Sequence, residues 1–191
     1  MELRQAGIKS PVMVLTAGTD SFEQIINYGL EPGIPNMYSL KLLCDVLQKR
    51  GMTNYPIHIK LDTGMHRLGF MTEEMKELVG FLKTCDSVKV KSVYSHLAAA
   101  DDPSCDDFTM DQIALFKKNA DMLTESIGYK PLYHILNSAG IERFTEYQFD
   151  MVRLGIGIYG VSALPGNHLT TVASFKCKIL QIKNLKPEDG T

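Results

Sequence analysis

The chain has 191 residues, of which 45% are hydrophobic and 22% are charged, as in ordinary globular proteins. Its formal net charge of −2 gives no electrostatic attraction to nucleic acid or to an anionic membrane. No apolar run reaches the roughly 18 residues of a membrane span, and the N-terminus lacks the apolar core of a signal peptide. We therefore expect a cytoplasmic protein with no nucleic-acid or membrane partner.

The cysteines follow no metal-binding or redox motif. They are far apart in the sequence, with no C-x-x-C pair and no Cys/His ligand spacing: Cys44, Cys85, Cys105 and Cys177. We expect four unpaired thiols in a reducing compartment and no metal site.

Short β-prone runs alternate with amphipathic helical runs along most of the chain. Six strands are predicted, at Val12–Leu15, Asn36–Tyr38, Ile57–Leu61, Val90–Ser95, Leu132–Leu136 and Met151–Arg153. Helices are predicted between them, one beginning after Asp20 or Ser21, one over residues 39–51, one from Thr72, and one from a capping box of Thr109 and Gln112.

Repeated β-then-α units predict an α/β fold with a parallel sheet and helices outside it. Two architectures fit this order: a doubly wound open sheet and a (β/α)8 barrel, of which about six of the eight units would be present. The pattern changes after Gly160, where alternating residues with no following helix indicate strands of another domain. We therefore divide the chain at residue 162, with 163–191 as the start of a β-domain, and expect a fragment of a longer protein.

Polar side chains follow successive predicted strands at the points where the strands end. Lys60 and Asp62 follow the third strand and His96 the fourth, and the later strand ends carry Asn137, Ser138 and Arg153. The carboxyl ends of parallel strands share one edge, which carries the active site in α/β folds. The sequence therefore predicts a site at this edge.

The stretch GIGIYG at residues 155–160 formally matches the dinucleotide-binding pattern G-x-G-x-x-G. It comes late in the chain, runs into a Pro-containing segment and lacks an acidic residue about 20 positions further on, so we reject that interpretation. In barrels, the loops after the last strands often bind phosphate through backbone N–H groups. Ser138, Gly155 and Ile156 lie in two such loops if the strand count is correct.

Four blocks of residues carry a family resemblance: HIKLDTGMHRLGF, SHLAAADD, HILNSAG and VRLGIGIYG, in this order. Together they resemble bacterial alanine racemases, fold-type III enzymes that use pyridoxal 5'-phosphate (PLP) and have an N-terminal barrel and a C-terminal β-domain. The resemblance runs through almost the whole chain. It implies the middle of such an enzyme, with a partial (β/α)8 barrel and the first part of the β-domain.

The resemblance also assigns roles to single residues. Arg67 matches the arginine that contacts the phenolic oxygen of PLP, and Lys60 matches a lysine that is carbamylated in many members. His96 matches the histidine beside the pyridine ring, and Arg153 the arginine that faces the pyridine nitrogen. The remaining cofactor-binding residues implied are the Asn-Ser pair and two backbone N–H donors at the phosphate: Asn137, Ser138, Gly155 and Ile156.

The two residues that carry out the chemistry in the family have no match here. The resemblance places the cofactor-holding lysine before Met1 and the tyrosine base beyond Thr191, in a β-domain that the partner subunit of a homodimer contributes. We therefore expect the parent enzyme to racemise an amino acid and this fragment to be inactive. The family usually has glycine where His66 stands, and we expect this side chain to point to solvent.

Several alternatives stay open at the level of sequence. The chain could be a catalytically silent PLP-binding barrel or a non-binding scaffold, and the parent could prefer serine or another amino acid to alanine. Lys60 could pair with Asp62, Arg153 could pair with Asp150, and His96 could be a core histidine. Because a partial barrel has unpaired edge strands, we expect the fragment to self-associate.

Overall fold

A computed structural model describes residues 1–166 and 169–189, and it contains one parallel sheet of five strands. The strands lie in chain order, so each follows its neighbour through a crossover: β1 (Met13–Val14), β2 (Glu31–Ile34), β3 (Tyr55–Lys60), β4 (Val88–Tyr94) and β5 (Leu132–His134). This arrangement is half of a barrel, which confirms the predicted partial (β/α)8 fold. It has five strands, where the sequence predicted about six βα units.

Helices connect and flank these strands. They are α1 (Glu2–Gln5), α2 (Phe22–Asn27), α3 (Met37–Lys49), α4 (Met75–Leu82), α5 (Asp106–Ile127) and α6 (Ser138–Arg143). Short 3-10 turns lie at Thr19–Ser21, Thr72–Glu74, Pro103–Cys105, Thr145–Tyr147, Ile156–Tyr159 and Pro187–Asp189. None of the helices in the described part of the chain has the length and hydrophobicity that crossing a membrane requires.

The core lies between the sheet and the helices packed outside it. Leu40, Leu43 and Leu47 occupy one face of α3 and are fully buried, as are Ile57 and Ile59 of β3. The leucines recur at helical spacing, so they share one face of α3. Together with the buried strand residues they form one continuous hydrophobic cluster. This packing holds the strand ends in fixed relative positions.

The strand predicted at Asn36–Tyr38 is wrong, because these residues begin α3. The side chain of Asn36 accepts a hydrogen bond from the backbone N–H of Ser39 at 2.9 Å, which is an N-cap. The strand before this helix is β2, whose sequence E-P-G-I contains the two residues least typical of strands. All four of its residues are buried.

The capping box predicted at Thr109 and Gln112 is also wrong. Helix α5 begins at Asp106, so both residues lie inside it, where they are buried. The chain enters this helix through a 3-10 turn capped by Asp102, whose side chain accepts from the backbone N–H of Ser104 at 2.9 Å. A Pro-containing turn thus replaces the predicted cap.

The predicted strand at Met151–Arg153 does not form, although the segment runs along β5. Its backbone bonds are Asp150 N–H to the Tyr133 carbonyl (3.1 Å) and Arg153 N–H to the Leu136 carbonyl (3.0 Å). Donors three residues apart do not match the two-residue repeat of a strand ladder.

Residues 163–166 and 169–189 contain no strand, and the predicted start of a β-domain there stays a prediction. Residues 167–168 and 190–191 of that predicted domain lie outside the described residues. The division of the chain at residue 162 likewise stays a prediction.

Candidate active site at the carboxyl ends of the strands

The loop after β3 folds back onto its own strand. The backbone N–H of Asp62 donates to the Phe70 carbonyl at 2.9 Å, and the N–H of Phe70 donates to the Lys60 carbonyl at 2.8 Å. Gly69 makes this return possible: its φ is 132°, and a Cβ there would lie 2.5 Å from the Asp62 nitrogen. Residues 62–70 therefore form a closed loop at the edge of the sheet.

The carboxylate of Asp62 fixes the shape of this loop from inside. It is buried, and its Oδ1 accepts from the backbone N–H groups of Gly64 and His66, both at 3.0 Å. These two hydrogen bonds order the loop. His66 has a positive φ of 51° and an exposed side chain, which confirms that it points to solvent. This left-handed backbone is a conformation that glycine adopts more readily than histidine does.

Lys60 ends β3 with its side chain almost completely buried, at 8% exposure. Its Nζ lies 5.9 Å from the centroid of the Tyr94 ring, and no ion pair joins it to a carboxylate within the described residues. Burial lowers the pKa of Lys60, and the charges of Arg67 and Arg153 lower it further, against a smaller opposite effect of Asp62. A buried amine of this kind deprotonates more readily than a surface lysine.

Arg153 is held by neutral groups. Its guanidinium donates to the carbonyls of His134 (3.1 Å) and Ile135 (3.1 Å) and to that of Ser95. Burial lowers the pKa of Arg153 to about 10, so the side chain keeps its charge at neutral pH. The alternative pairing with Asp150 is wrong, because Asp150 accepts from Lys130 (3.1 Å) and from the backbone N–H of Tyr133 (2.9 Å).

His96 lies beside Arg153, and its Nδ1 is 3.4 Å from a guanidinium nitrogen. Burial lowers the pKa of His96 to about 4, assisted by the charges of Arg153, Arg67 and Lys60. Because an arginine only donates, Nδ1 is the acceptor, and the neutral ring carries its proton on Nε2. The loop after His96 is fixed by Gln112, whose side chain accepts from the backbone N–H of Ala98 at 3.0 Å.

Behind Arg153, a chain of buried side chains crosses four strands, from β5 to β2. His134 Nδ1 accepts from Arg153 at 2.7 Å, so its Nε2 donates to the Ser92 hydroxyl at 2.8 Å. Ser92 then donates to His58 Nδ1 at 2.6 Å, and His58 Nε2 donates to a Glu31 oxygen at 3.0 Å. Burial lowers the pKa of both imidazoles, that of His134 to about 3. Every donor in this network therefore points from Arg153 towards the Glu31 carboxylate.

The strand register explains this network. His58 of β3 pairs with Ser92 of β4, and Tyr94 of β4 pairs with both Lys60 and His134. The Tyr94 ring stacks on the His134 imidazole, with centroids 5.2 Å apart and planes 3° apart. Parallel pairing thus places polar residues from neighbouring strands side by side on the inner face of the sheet.

Ser138 and the turn at 155–157 form the opposite side of the site. The Ser138 hydroxyl oxygen accepts from the backbone N–H groups of Gly155 (2.9 Å) and Gly157 (3.0 Å). Asn137 has a structural role. Its side-chain oxygen accepts from the backbone N–H of Gly140 (3.0 Å), which caps α6, and its side-chain amide donates to the Leu97 carbonyl (3.2 Å).

These residues open onto a cavity of about 580 Å³. Its wall includes His96, Asn137, Ser138, Gly155 and Ile156. A smaller cleft beside it is lined by Lys60, Arg67 and again His96. The structure therefore brings the sequence-predicted residues together around one region, with His96 shared by both openings. Lys60, Arg67 and Arg153 outnumber the carboxylates of Asp62 and Asp101 in this region, so it favours an anion.

A comparison with known families matches residues 1–163, more than four fifths of the chain, to the family model "Alanine racemase, N-terminal domain". The chain belongs to the alanine racemase family. Curated relatives include the alanine racemase of Synechocystis sp., 34% identical over 100% of this chain and 52% of its own length. That of Thermodesulfovibrio yellowstonii is 36% identical over 96% of this chain and 47% of its own length. The chain spans about half the length of these relatives.

Solved structures of the family share the fold. The alanine racemase of D-cycloserine-producing Streptomyces lavendulae has a TM-score of 0.78 and 30% identity, over 86% of this chain and 44% of that one. The alanine racemase of Bartonella henselae was solved with covalently bound pyridoxal phosphate; its TM-score is 0.72 and its identity 26%, over 87% of this chain and 47% of that one.

Sequence reasoning missed the polar network behind Arg153. The family resemblance gave no role to His58 or His134, and the structure shows both as buried. Glu31 lies in the strand that was missed, and Ser92 lies in the strand VKVKSVY, where nothing distinguishes it from the other polar residues. The signal that would have revealed this network is a polar residue at equivalent positions of two or three successive buried strands.

Proposed function

We propose that this chain forms the PLP-binding half of an alanine racemase, which interconverts L- and D-alanine. The observation that carries the proposal is the convergence of His96, Ser138 and Gly155 from three neighbouring segments on one cavity at the carboxyl edge of the sheet. The cavity volume of about 580 Å³ lies in the range of small-molecule cofactor sites. A guanidinium nitrogen of Arg153 lies 3.4 Å from His96 Nδ1, beside this cavity.

The wall at Ser138 fits a phosphate group. The hydroxyl oxygen already accepts two backbone hydrogen bonds, so its own proton is directed to a further acceptor. Ile156 begins a helical turn, and its backbone N–H has no partner inside that turn. Ser138 and Ile156 would therefore donate to phosphate oxygens, while Asn137 keeps the loop in place.

Arg153 fits the nitrogen of the cofactor ring. Five hydrogen bonds to carbonyls and imidazoles fix its guanidinium, so its position is set before any ligand binds. When bound, PLP supplies an electron-withdrawing ring that stabilises negative charge on the α-carbon of an amino acid. Because an arginine does not readily give up its proton, Arg153 would leave the ring nitrogen unprotonated and the ring a weaker electron sink. That arrangement would favour rapid return of the proton to the α-carbon, as racemisation requires.

His96 and Arg67 would complete the ring end of the site. His96 is neutral at physiological pH, so it adds hydrogen bonding next to Arg153 without a second buried charge. Arg67, presented by the closed loop, would donate to the phenolic oxygen of the cofactor.

Replacing Arg67 with alanine in the longer protein should weaken PLP retention by about 10- to 100-fold, the usual value of hydrogen bonds to a charged group. Dialysis followed by absorbance measures the cofactor that remains. Arg50→Ala serves as the matched control, because Arg50 lies at the end of α3 and bonds Asn27 there. Equal PLP retention in the two variants would remove Arg67 from the site.

We further propose that Lys60 is carbamylated in the assembled site. Its amine is buried and forms no ion pair with a carboxylate in the described part of the chain, and burial lowers its pKa, which favours the neutral form that reacts with CO2. The resulting carbamate would carry a negative charge next to Arg67. In ¹³C-bicarbonate, NMR should show a carbamate carbon signal that Lys60→Gln lacks. A signal that persists in Lys60→Gln, or is absent from both proteins, would contradict the modification.

The whole enzyme would work as a homodimer in the cytoplasm and supply D-alanine for peptidoglycan. We propose alanine as substrate from the named relatives, and we expect the cofactor-holding lysine and the tyrosine base to lie outside these 191 residues. Racemisation assays on this chain and on the longer protein test this, with activity expected only from the latter. No alanine turnover by the longer protein would contradict the proposal.

We expect the isolated chain to self-associate. Strand β1 pairs on one side only within the described residues, and the side chains of Phe175 and Leu180 are 98% and 95% exposed. Unpaired edges and apolar surface of this kind bind a second chain. Size-exclusion chromatography with light scattering should show dimers or larger species, and a compact monomer would contradict this expectation.

A further inference from the structure

Two cysteines from separate parts of the chain lie side by side. Cys44 is on α3 and Cys85 is in the connection between α4 and β4, and their Sγ atoms are 3.2 Å apart. Both are free thiols that share a hydrogen bond. Their sequence separation of 41 residues explains why no spacing motif revealed them.

The pair lies at the opposite edge of the sheet from the candidate active site. Cys85 lies just before the first residue of β4, Val88, and it lines a cavity of about 450 Å³ together with Asn54, Lys83 and Lys89. Asn54 likewise precedes β3, so the cavity opens at the amino ends of the strands. An inference drawn here is therefore independent of the proposed function.

The two thiols differ in access. Cys44 is 2% exposed and belongs to the hydrophobic core, whereas Cys85 is half-buried and faces the cavity. Two lysines in the cavity wall favour a small anionic molecule there, next to a single aspartate, Asp86. A disulfide reagent that enters the cavity would therefore meet Cys85 first.

We propose that Cys44 and Cys85 are a redox modification site that forms a reversible disulfide by exchange with an anionic low-molecular-weight disulfide such as oxidised glutathione. The Cys85 thiolate attacks one sulfur of the reagent, which forms a mixed disulfide and releases one glutathione thiolate. Cys44 then attacks the Cys85 sulfur and its proton passes to the departing sulfur, so the second glutathione leaves as a thiol. Overall, the two cysteines lose two hydrogens and the reagent is reduced to two thiols.

The geometry suits this product. A disulfide needs about 2.05 Å between sulfurs, so the pair must close by about 1.2 Å from 3.2 Å. Cys44 is 2% exposed, so outside reagents cannot reach it, whereas the Cys85 sulfur lies within contact distance. The closed bond would join α3 to the start of β4 across the core.

The test uses the chain with Cys105→Ser and Cys177→Ser, so that only the pair can react. After incubation in oxidised glutathione, the intact mass should fall by two hydrogens, and peptide mapping without reductant should find the Cys44–Cys85 link. The melting temperature should rise by about 5 °C, because the bond closes a long loop, and dithiothreitol should reverse the change.

Two further variants separate this proposal from ordinary surface chemistry. Cys44→Ala should stop at a mixed disulfide on Cys85, with the mass of one glutathione added, and Cys85→Ala should stay unmodified because Cys44 is buried. If Cys44→Ala fails to fold, the peptide map of the chain with Cys105→Ser and Cys177→Ser still shows whether the Cys44–Cys85 disulfide forms. Two unreacted thiols in the chain with Cys105→Ser and Cys177→Ser, or a mixed disulfide that never converts to the Cys44–Cys85 bond, would overturn the proposal.

Discussion

Replacing Arg153 with leucine is expected to destabilise the chain by about 3 kcal/mol or more, because several buried acceptors lose their donor at once. The carbonyls of Ser95, His134 and Ile135 and the Nδ1 of His134 all accept from this one guanidinium. The same change should abolish PLP binding by the longer protein. Urea denaturation measures the first effect and cofactor absorbance the second.

Arg153→Lys is the informative companion variant. A lysine keeps the charge but cannot reproduce the planar fork that reaches carbonyls of two strand ends. We expect it to recover part of the stability and little of the PLP binding. Arg50→Leu, at the surface end of α3, controls for the loss of any arginine. Equal stability of Arg153→Leu and Arg50→Leu would contradict the role of Arg153 as an organiser of the site.

Acid should destabilise the chain well before its carboxylates titrate. The pKa of His134 is about 3 in the folded chain and 6.5 when it is exposed, so between these values the unfolded state binds the extra proton. Stability is therefore full above pH 6.5 and falls as the pH is lowered towards 3. From His134 alone, the loss at pH 5 relative to pH 7.5 should be about 2 kcal/mol.

The variant His134→Asn isolates this contribution. Its amide oxygen can still accept from Arg153, but the side chain has no proton to gain in this range. Urea unfolding at pH 7.5 and pH 5.0 should therefore show a smaller acid loss for His134→Asn than for the parent chain. His96, whose pKa is lowered to about 4, accounts for part of the remaining loss. An identical acid loss in both proteins would show that His134 is not held neutral.

The fold was largely predictable because its helices and most strands carry strong periodic patterns. The strand β2 escaped because E-P-G-I has no β-branched residue before its end and contains Pro and Gly. Gly33 is required there by tertiary packing: a Cβ would lie 2.4 Å from the Tyr94 hydroxyl, a contact that no local pattern reveals. The segment at Met151–Arg153 has the sequence of a strand, but its backbone bonds, from Asp150 to Tyr133 and from Arg153 to Leu136, are three residues apart, and Leu136 lies beyond the end of β5.

The candidate site was predictable where its residues follow strand ends in the sequence, as with Lys60, His96 and Ser138. The buried network that orients these residues was not predictable. Hydrogen-bonded chains such as His134–Ser92–His58 depend on the register between strands, which the sequence does not show. Sequence reasoning therefore found the residues facing the cavity and missed those that orient them.

Absorbance titration with PLP tests the central claim most directly, using this chain and the longer protein that contains it. We expect a band at about 420 nm, which a lysine-bound cofactor gives, only in the longer protein, and its loss in the Arg153→Leu variant. A band in the isolated chain would show that one of its own lysines holds the cofactor. No band in either protein would contradict the assignment of this cavity to PLP.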